Sequence, residues 1–369
     1  MVGGSSGNGA GEIDGAGDAR PVQVRCRNVW KVFGRGGEKV PGTERAELSR
    51  AELLEKEGCT VAVRDVSFDI PRGEVFVVMG LSGSGKSTLT RCITRLIDVT
   101  SGSIELCGRD VVTADAKGLR ELRRTSVSMV FQHFALLPHR NVLDNVAYGL
   151  EIRGVAKVVR HERARELLEV VGLSGHDRSY PSQLSGGMQQ RVGLARALAV
   201  DPDVLIFDEA FSALDPLIRR DMQDELVRLQ DQMHKTVIFV THDLDEALKL
   251  GDRIAIMRDG AFVQLGTPEE VVGDPADDYV AAFTRDVPRA KVLTAAWVMR
   301  PLTAGTLPLR SVAESTKLDD VLGFLAERDE TVGVVDASGK VVGTIDRATV
   351  LQAVVTAPPH PDTLVAQQA

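Results

Sequence analysis

The chain has 369 residues, of which 43% are hydrophobic, enough for two or three cores of ordinary domain size. Its 44 basic and 52 acidic residues give a net charge of −8, which argues against nucleic acid as a partner. No apolar run approaches the roughly 20 residues of a membrane-spanning helix and no signal peptide opens the chain, so we expect a cytoplasmic protein that reaches a membrane only through a partner.

The start of the chain contains a tail and an interrupted pair of strands. Residues 1–20 are rich in glycine, serine, alanine and aspartate, and we expect them to be disordered. A predicted strand over 22–33 and another over 61–70 enclose an insertion, 34–60. Within it, Ser49-Arg50-Ala51-Glu52 matches a capping box, which predicts a short surface helix.

A glycine-rich loop follows the next apolar run and ends at Lys86, before a predicted helix from Leu89 onward. This strand–loop–helix order is typical of a P-loop, in which glycines let backbone N–H groups approach a polyphosphate at a helix N-terminus. Lys86 would reach the β- and γ-phosphates of ATP, and the Ser87 hydroxyl would ligate Mg²⁺. The predicted ATP-binding residues of the loop are Gly80, Leu81, Ser82, Gly83, Ser84, Gly85, Lys86, Ser87 and Thr88. By itself the motif leaves kinases, GTPases, many ATPases and a chance glycine-rich turn open.

Polar residues follow three further apolar runs that read as strands. Asp208 and Glu209 follow one run, His242 follows another and Gln132 a third. Because ligands bind at the carboxyl ends of parallel strands, we expect these side chains beside the P-loop. One carboxylate could serve Mg²⁺ while the other polarises water, and Gln132 could reach both. An acidic pair that merely caps a helix, and a structural histidine, are the alternatives.

The run 184–190 is a second candidate anion-binding segment. It places Ser185, Gly186 and Gly187 ahead of a predicted helix that extends to Leu198. A nucleotide bound at the P-loop need not touch this segment in the same subunit. The presence of both therefore indicates a composite site shared between two copies of the chain.

Together these motifs resemble the ATP-binding-cassette (ABC) ATPases over roughly residues 22–283. The resemblance implies an α/β fold, a P-loop ABC nucleotide-binding domain with a RecA-like core, an antiparallel β subdomain and a helical subdomain. It also implies a dimer that sandwiches two ATP molecules head to tail, each P-loop facing the signature segment of the other subunit.

The same resemblance implies a role for individual residues. The implied catalytic residues are Glu209, His242, Gln132 and Lys86, and the implied Mg²⁺ ligands are Ser87, Gln132 and Asp208. The signature residues acting on the other subunit's ATP are Ser185, Gly186, Gly187 and Gln189, and Asp215 belongs to the D-loop. Phe33 matches the aromatic residue that stacks on adenine, with Trp30 as the alternative.

A narrower resemblance is to the ATPase subunits of glycine betaine/proline importers. It is carried by the run 28–34, the insertion, and Ala210-Phe211 after the acidic pair. It implies ATP hydrolysis that drives uptake of a compatible solute, in a homodimer bound to a transmembrane permease at the cytoplasmic face of the membrane, with a substrate-binding protein as an indirect partner. A soluble ABC ATPase acting on ribosomes or DNA, and an importer ATPase for another small polar substrate, are the alternatives.

Past about Asp286 the pattern changes to a helix and two strands joined by a predicted hairpin turn at 336–339. This region resembles a single CBS repeat, a small α/β regulatory module; a plain dimerisation or stability module is the alternative. The predicted domains are a tail (1–20), an ABC ATPase domain (21–286), a CBS-like domain (287–357) and a second tail (358–369).

Overall fold

The computed structural model describes residues 20–132, 135–302, 310–327 and 330–355. Apart from Arg20, the two predicted tails lie outside this part of the chain. The strands are β1 (Val22–Phe33), β2 (Thr60–Pro71), β3 (Val75–Met79), β4 (Ser101–Leu106), β5 (Arg109–Asp110), β6 (Val127–Phe131), β7 (Val204–Asp208), β8 (Thr236–Thr241), β9 (Arg253–Arg258), β10 (Ala261–Gly266), β11 (Arg300–Pro301), β12 (Ser311–Ala313), β13 (Val332–Val335) and β14 (Val341–Ile345). The α-helices are α1 (Arg50–Glu57), α2 (Lys86–Ile93), α3 (Ala116–Thr125), α4 (Val142–Val146), α5 (Tyr148–Ile152), α6 (Lys157–Val170), α7 (Gly186–Ala199), α8 (Pro216–Met233), α9 (Leu244–Leu250), α10 (Pro268–Gly273), α11 (Asp278–Thr284), α12 (Arg289–Val292), α13 (Ala295–Val298), α14 (Leu318–Glu327) and α15 (Arg347–Val355).

The central sheet has the strand order β10-β9-β3-β8-β7-β6. Its strands are parallel from β9 to β6, and β10 pairs antiparallel at the edge. The strands β3, β7 and β8 are buried along their whole length, as expected for parallel strands covered on both faces.

Alternate residues of β3 enter two different cores, because successive side chains of a strand point to opposite faces. Phe76 and Val78 pack toward the antiparallel sheet β2-β1-β4-β5 and helix α2. Val77 and Met79 pack toward the helices on the other face, among them α7 and α8. The strand that carries the P-loop is thereby held from both sides.

The insertion folds as a compact loop on the antiparallel sheet. Phe33 at the end of β1 is paired with Thr60 at the start of β2, so residues 34–60 leave and rejoin the sheet at neighbouring positions. The predicted helix is confirmed as α1, and its capping box between Ser49 and Glu52 is present. Hydrogen bonds from Ser49 lower the pKa of Glu52 to about 2.

The C-terminal region builds a third sheet, with the order β11-β14-β13-β12. The predicted hairpin between β13 and β14 is confirmed, and α14 connects the parallel pair β12 and β13. This unit has a core of its own, which also includes Val272 of α10. Lys317 links it to the preceding domain by an ion pair of 2.9 Å with Glu269. No helix in the described residues is long and apolar enough to cross a bilayer.

Candidate active site

The register of the central sheet brings the carboxyl ends of four strands to one edge. Met79 of β3 is level with Thr241 of β8, and Asp208 of β7 is level with Phe131 of β6. The residues that directly follow these positions are all predicted site residues: Gly80, His242, Glu209 and Gln132. The parallel register therefore places the predicted catalytic groups around one edge, where ligands of such sheets bind.

The P-loop packs so closely that two of its glycines have no room for a side chain. A Cβ at Gly80 would collide with the carbonyl oxygen of Met257, and one at Gly85 with that of Ala62. Gly85 also has a φ of 112°, which glycine adopts without strain. Since Gly85 caps the helix, α2 begins at Lys86, earlier than predicted.

The ammonium group of Lys86 lies at the centre of the site. It donates hydrogen bonds to the carbonyl oxygens of Gly80 (2.8 Å) and Leu81 (3.1 Å), and lies 3.6 Å from a carboxylate oxygen of Glu209. Only 4% of the Lys86 surface is exposed. Burial lowers the pKa of Lys86, while the Glu209 carboxylate acts in the opposite direction.

Oxygen donors that suit Mg²⁺ stand beside this lysine. The Ser87 hydroxyl donates a 2.7 Å hydrogen bond to the buried carboxylate of Asp208, so both oxygens face the same point. The described residues contain no group of three or more His, Cys, Asp or Glu side chains able to hold a metal. A serine and one carboxylate nevertheless fit Mg²⁺, which takes most of its remaining ligands from phosphates and water. Gln132 follows β6 at the same edge and is half-buried.

Glu209 has a left-handed backbone, with φ at 50°. Its N–H donates to the carbonyl of Val240, and its own carbonyl accepts from the hydroxyl of Ser212 at 2.8 Å. Non-glycine residues in this conformation are strained and cluster at functional sites. His242 follows β8, which lies between the P-loop strand β3 and the Glu209 strand β7, and its side chain is exposed.

The two candidate aromatics for adenine stacking lie in different surroundings. Trp30 is 7% exposed and belongs to the small core beneath the insertion. Phe33 is 41% exposed, with the ammonium of Lys31 4.8 Å from its ring centroid. Phe33 therefore exposes part of its ring, with the Lys31 ammonium over one face, whereas Trp30 is a core residue.

The signature segment forms the N-terminus of α7. The Ser185 hydroxyl caps this helix by accepting from the N–H of Met188, and the side chain is exposed. Gln189 donates to the carbonyl oxygens of Pro181 (3.1 Å) and Leu184 (3.2 Å), which fixes the turn before the helix. Within the described residues, no hydrogen bond or ion pair joins this segment to the P-loop.

The D-loop packs against the signature segment. Asp215 caps α8 by accepting from the N–H groups of Leu217 and Ile218, both at 3.1 Å. The Ile218 side chain fills the space beside Gly187, where a Cβ would collide with it. The glycine thus permits close contact between α7 and α8.

Arg219 is a site residue that sequence reasoning missed. Its guanidinium donates to the D-loop carbonyls of Ser212 (3.4 Å) and Leu214 (3.3 Å) and pairs with Asp243 (3.3 Å), the residue after His242. The side chain therefore ties the D-loop to the loop that carries the histidine. No short motif signals this role, since an arginine in the first turns of a helix is an ordinary surface residue.

Arg196 is a second missed residue. It lies on α7, the signature helix, and donates a 2.7 Å hydrogen bond to the carbonyl of Ala135, just past Gln132. Burial lowers its pKa. This bond connects the signature helix to the loop that carries Gln132.

Comparisons with known proteins agree on one family. Residues 63–212 match the family model described as ABC transporter. The trimethylamine N-oxide transport system ATP-binding protein TmoW of Pelagibacter ubique is 46% identical over 331 residues, which cover 90% of this chain and 97% of that relative. The glycine betaine transport ATP-binding protein OpuAA of Bacillus subtilis is 53% identical over 283 residues, 77% of this chain and 68% of that relative. The glycine betaine/proline betaine transport system ATP-binding protein ProV of Escherichia coli is 46% identical over 325 residues, 88% of this chain and 80% of that relative.

A solved structure extends the likeness to three dimensions. The dimeric structure of a post-hydrolysis state of the ATP-binding cassette MJ0796, bound to ADP and Pi, aligns with a TM-score of 0.56 and 32% identity, covering 66% of this chain and 98% of that chain.

A P-loop lysine, a paired hydroxyl and carboxylate, and a second carboxylate at the end of a parallel strand define a P-loop nucleoside triphosphatase. Given the relatives just described, the chain belongs to the ABC transporter family of ATP-binding proteins. The predicted enzyme class, an ABC-type ATPase, is confirmed, as is the predicted likeness to ATPase subunits of glycine betaine and proline betaine importers.

Proposed function

We propose that this chain is the ATPase subunit of an importer for a small solute with a methylated nitrogen, with glycine betaine as the first candidate. The observation that carries the proposal is the sheet edge at which Lys86, Ser87, Asp208 and Glu209 lie within bonding range. The solutes in the relatives' names, glycine betaine, proline betaine and trimethylamine N-oxide, all combine a methylated nitrogen with a negatively charged oxygen.

In this proposal the chemistry is hydrolysis of ATP, carried by positioning and charge. Lys86 and the P-loop N–H groups hold the β- and γ-phosphates. When bound, Mg²⁺ neutralises phosphate charge, with Ser87, Gln132 and Asp208 as the residues that would hold it. Glu209 orients the attacking water and accepts its proton, and His242 contacts the γ-phosphate.

We assign the complete site to a homodimer. The exposed Ser185 and its neighbouring glycines form a helix N-terminus, which favours binding of an anion. This segment makes no bond to the P-loop of its own chain in the described residues, so the ATP that it contacts is the one on the P-loop of a second copy. Phe33 stacks on the adenine in the same arrangement.

The permease is proposed to bind at a cleft of about 250 Å³ along the edge strand β6. The cleft lies between β6, α3, α5 and α7, and its wall includes the exposed apolar residues Phe131 and Ile152. Arg196, which also lines it, bonds to the loop after Gln132. We assign the loop 132–139 to the same docking surface, and its residues His133 and Phe134 lie outside the described residues. Such docking would place the chain at the cytoplasmic face of the membrane.

For the C-terminal unit we propose a CBS-like regulatory role. Its order of elements, β12-α14-β13-β14-α15, forms one small α/β unit with a core of its own. The ion pair of Lys317 with Glu269 is a route by which it could influence the ATPase domain. Lys317→Ala should change how uptake responds to osmolarity without changing ATP affinity; an unaltered response would favour a stabilising module.

Uptake in a deletion strain tests the transport assignment. Cells that lack this chain should lose uptake of glycine betaine, trimethylamine N-oxide, proline betaine or carnitine, measured at low and high osmolarity. The wild-type chain should restore uptake of at least one of these, and an equal amount of Glu209→Gln should not. Full uptake without the chain would refute the assignment.

Co-purification tests the permease surface. Ile152→Glu should reduce recovery of a multi-span membrane protein with this chain, because it places a charge in the apolar wall of the cleft. Val158→Glu on α6 is the matched control, since Val158 is 78% exposed and lies outside the cleft. Equal recovery with both variants would argue against the cleft as the docking surface.

A further inference from the structure

The insertion begins at one end of the nucleotide site. It leaves the sheet directly after Phe33, the exposed ring assigned to adenine, and returns at Thr60, which is paired with Phe33. The segment is therefore anchored beside the position assigned to the base of ATP.

Helix α1 of the insertion contacts the P-loop. The guanidinium of Arg50, the first residue of α1, donates a 2.8 Å hydrogen bond to the carbonyl oxygen of Gly83. Gly83 has a φ of 80° and sits at the exposed tip of the loop, two residues after Leu81, which is 56% exposed. A charged donor from a separate element thus holds the backbone at the least buried part of the P-loop.

Several contacts fix the direction in which Arg50 points. Ser49, the residue before Arg50, caps the start of α1 through its capping box. The fully buried Leu53 anchors the helix in the core beneath the insertion. Arg64 of β2 donates to the carbonyls of Ala46 and Leu48, each at 2.8 Å, which fixes the chain that leads into α1. Arg50 is therefore carried by a rigid support.

We propose that the insertion is a working part of the ATP site, and that Arg50 is a positioning residue that keeps the P-loop tip in the conformation that receives the phosphates. The inference rests on the proposed binding of ATP at this loop. A P-loop binds by aiming backbone N–H groups at one point, so its affinity depends on how well the backbone is preorganised. Removal of a single bond at the tip should weaken ATP binding and leave the catalytic groups Glu209 and Lys86 in place.

The test compares ATP binding and steady-state hydrolysis in the full-length chain. Arg50→Ala should raise both the Kd and the KM for ATP about three- to tenfold, the effect of one lost hydrogen bond, with kcat near the wild-type value. Arg50→Lys should restore part of the affinity, because its ammonium can donate the bond to Gly83, although from a more flexible side chain than the planar guanidinium. Arg45→Ala is the matched control, since Arg45 pairs with Glu57 inside the insertion and should leave KM unchanged.

Lys86→Ala serves as a second variant, which distinguishes failure of the proposed ATP site from failure of the proposed role of Arg50. If neither Lys86→Ala nor Arg50→Ala weakens ATP binding, the proposed ATP site itself is wrong. If Lys86→Ala abolishes binding and Arg50→Ala has the wild-type KM, the role of Arg50 is refuted. If Arg50→Ala melts at a lower temperature than Arg45→Ala, the comparison is made with Arg50→Met, which keeps an unbranched side chain without a donor. A KM for Arg50→Met equal to wild type then counts against the proposal.

Discussion

The P-loop and the signature segment are both helix N-termini, yet they are built in opposite ways. Lys86 is buried and its neighbour Ser87 bonds to Asp208, 121 positions further along the chain. Ser185 is exposed, and the bonds around it join residues of the same turn. One half of the proposed composite site is thus preorganised by distant parts of its own chain. The other half presents its donors outward, as the proposed contact with a second copy requires.

The largest effect is expected for Glu209→Gln. The amide keeps the shape of the side chain and cannot accept a proton, so turnover should fall about 10²- to 10⁴-fold while ATP still binds. Size-exclusion chromatography with light scattering should then show a stable dimer in the presence of ATP. Turnover close to wild type would mean that Glu209 is not the base.

Lys86→Ala should weaken the binding of ATP. The variant removes the buried cation of the P-loop, and we expect ATP affinity to drop by about 10²-fold or more, in line with the loss of a charged donor from a preorganised site. Titration with a fluorescent nucleotide measures this effect. Unchanged affinity would count against the P-loop as the phosphate site.

Ser185→Ala should distinguish the two halves of the proposed composite site, the P-loop and the signature segment. ATP affinity of the monomer should stay at the wild-type value, because Ser185 makes no bond to its own P-loop, and turnover should drop about tenfold from the lost contact across the dimer. Loss of the helix cap should also reduce stability by about 1 kcal/mol. Ser185→Thr, which keeps a capping hydroxyl, is the control. A loss of ATP affinity as large as that of Lys86→Ala would contradict the division into two halves.

The smallest effect on ATP affinity is expected for Glu74, directly before β3, at the end of the strand opposite to the P-loop. Burial raises the pKa of Glu74 from 4.5 to about 7, against the effect of Arg253, 3.2 Å away. Because the folded protein holds this proton more tightly, the stability that Glu74 contributes is complete below about pH 4.5 and is lost as the pH rises through 7. Glu74→Gln should flatten this pH dependence and raise stability above pH 7 by roughly 1–3 kcal/mol, with ATP affinity unchanged. Chemical unfolding at pH 5 and pH 8 provides the measurement, and the same pH slope in both proteins would contradict the raised pKa.

Local patterns predicted much of the fold because they depend on neighbours in sequence. The apolar runs before the P-loop and before Asp208 are confirmed as β3 and β7, and the capping box at Ser49 starts α1 as predicted. The helix after the P-loop begins earlier than predicted, at Lys86, because the left-handed Gly85 already caps it. Backbone conformation at a glycine is set by packing that the sequence pattern does not reveal.

The long-range polar contacts of the site could not be predicted in this way. Arg50 and the carbonyl of Gly83 are 33 positions apart, and Arg196 and the carbonyl of Ala135 are 61 apart. Their acceptors are backbone oxygens, which every residue carries, so no residue type marks the partner. Only the three-dimensional placement of the elements brings these arginines to the loops that they contact.

The pairing of Phe33 with Thr60 has a consequence for how this protein could have changed over time. Since the two ends of the insertion are adjacent, the whole of 34–60 is equivalent to an oversized hairpin loop, and its gain or loss leaves the strand register on either side unaltered. A segment that touches the phosphate loop could therefore be acquired in one step, without rearranging the core. The same geometry makes the insertion transferable: grafted between the corresponding strands of a cassette that has a tight turn there, it would carry its arginine to the recipient's P-loop.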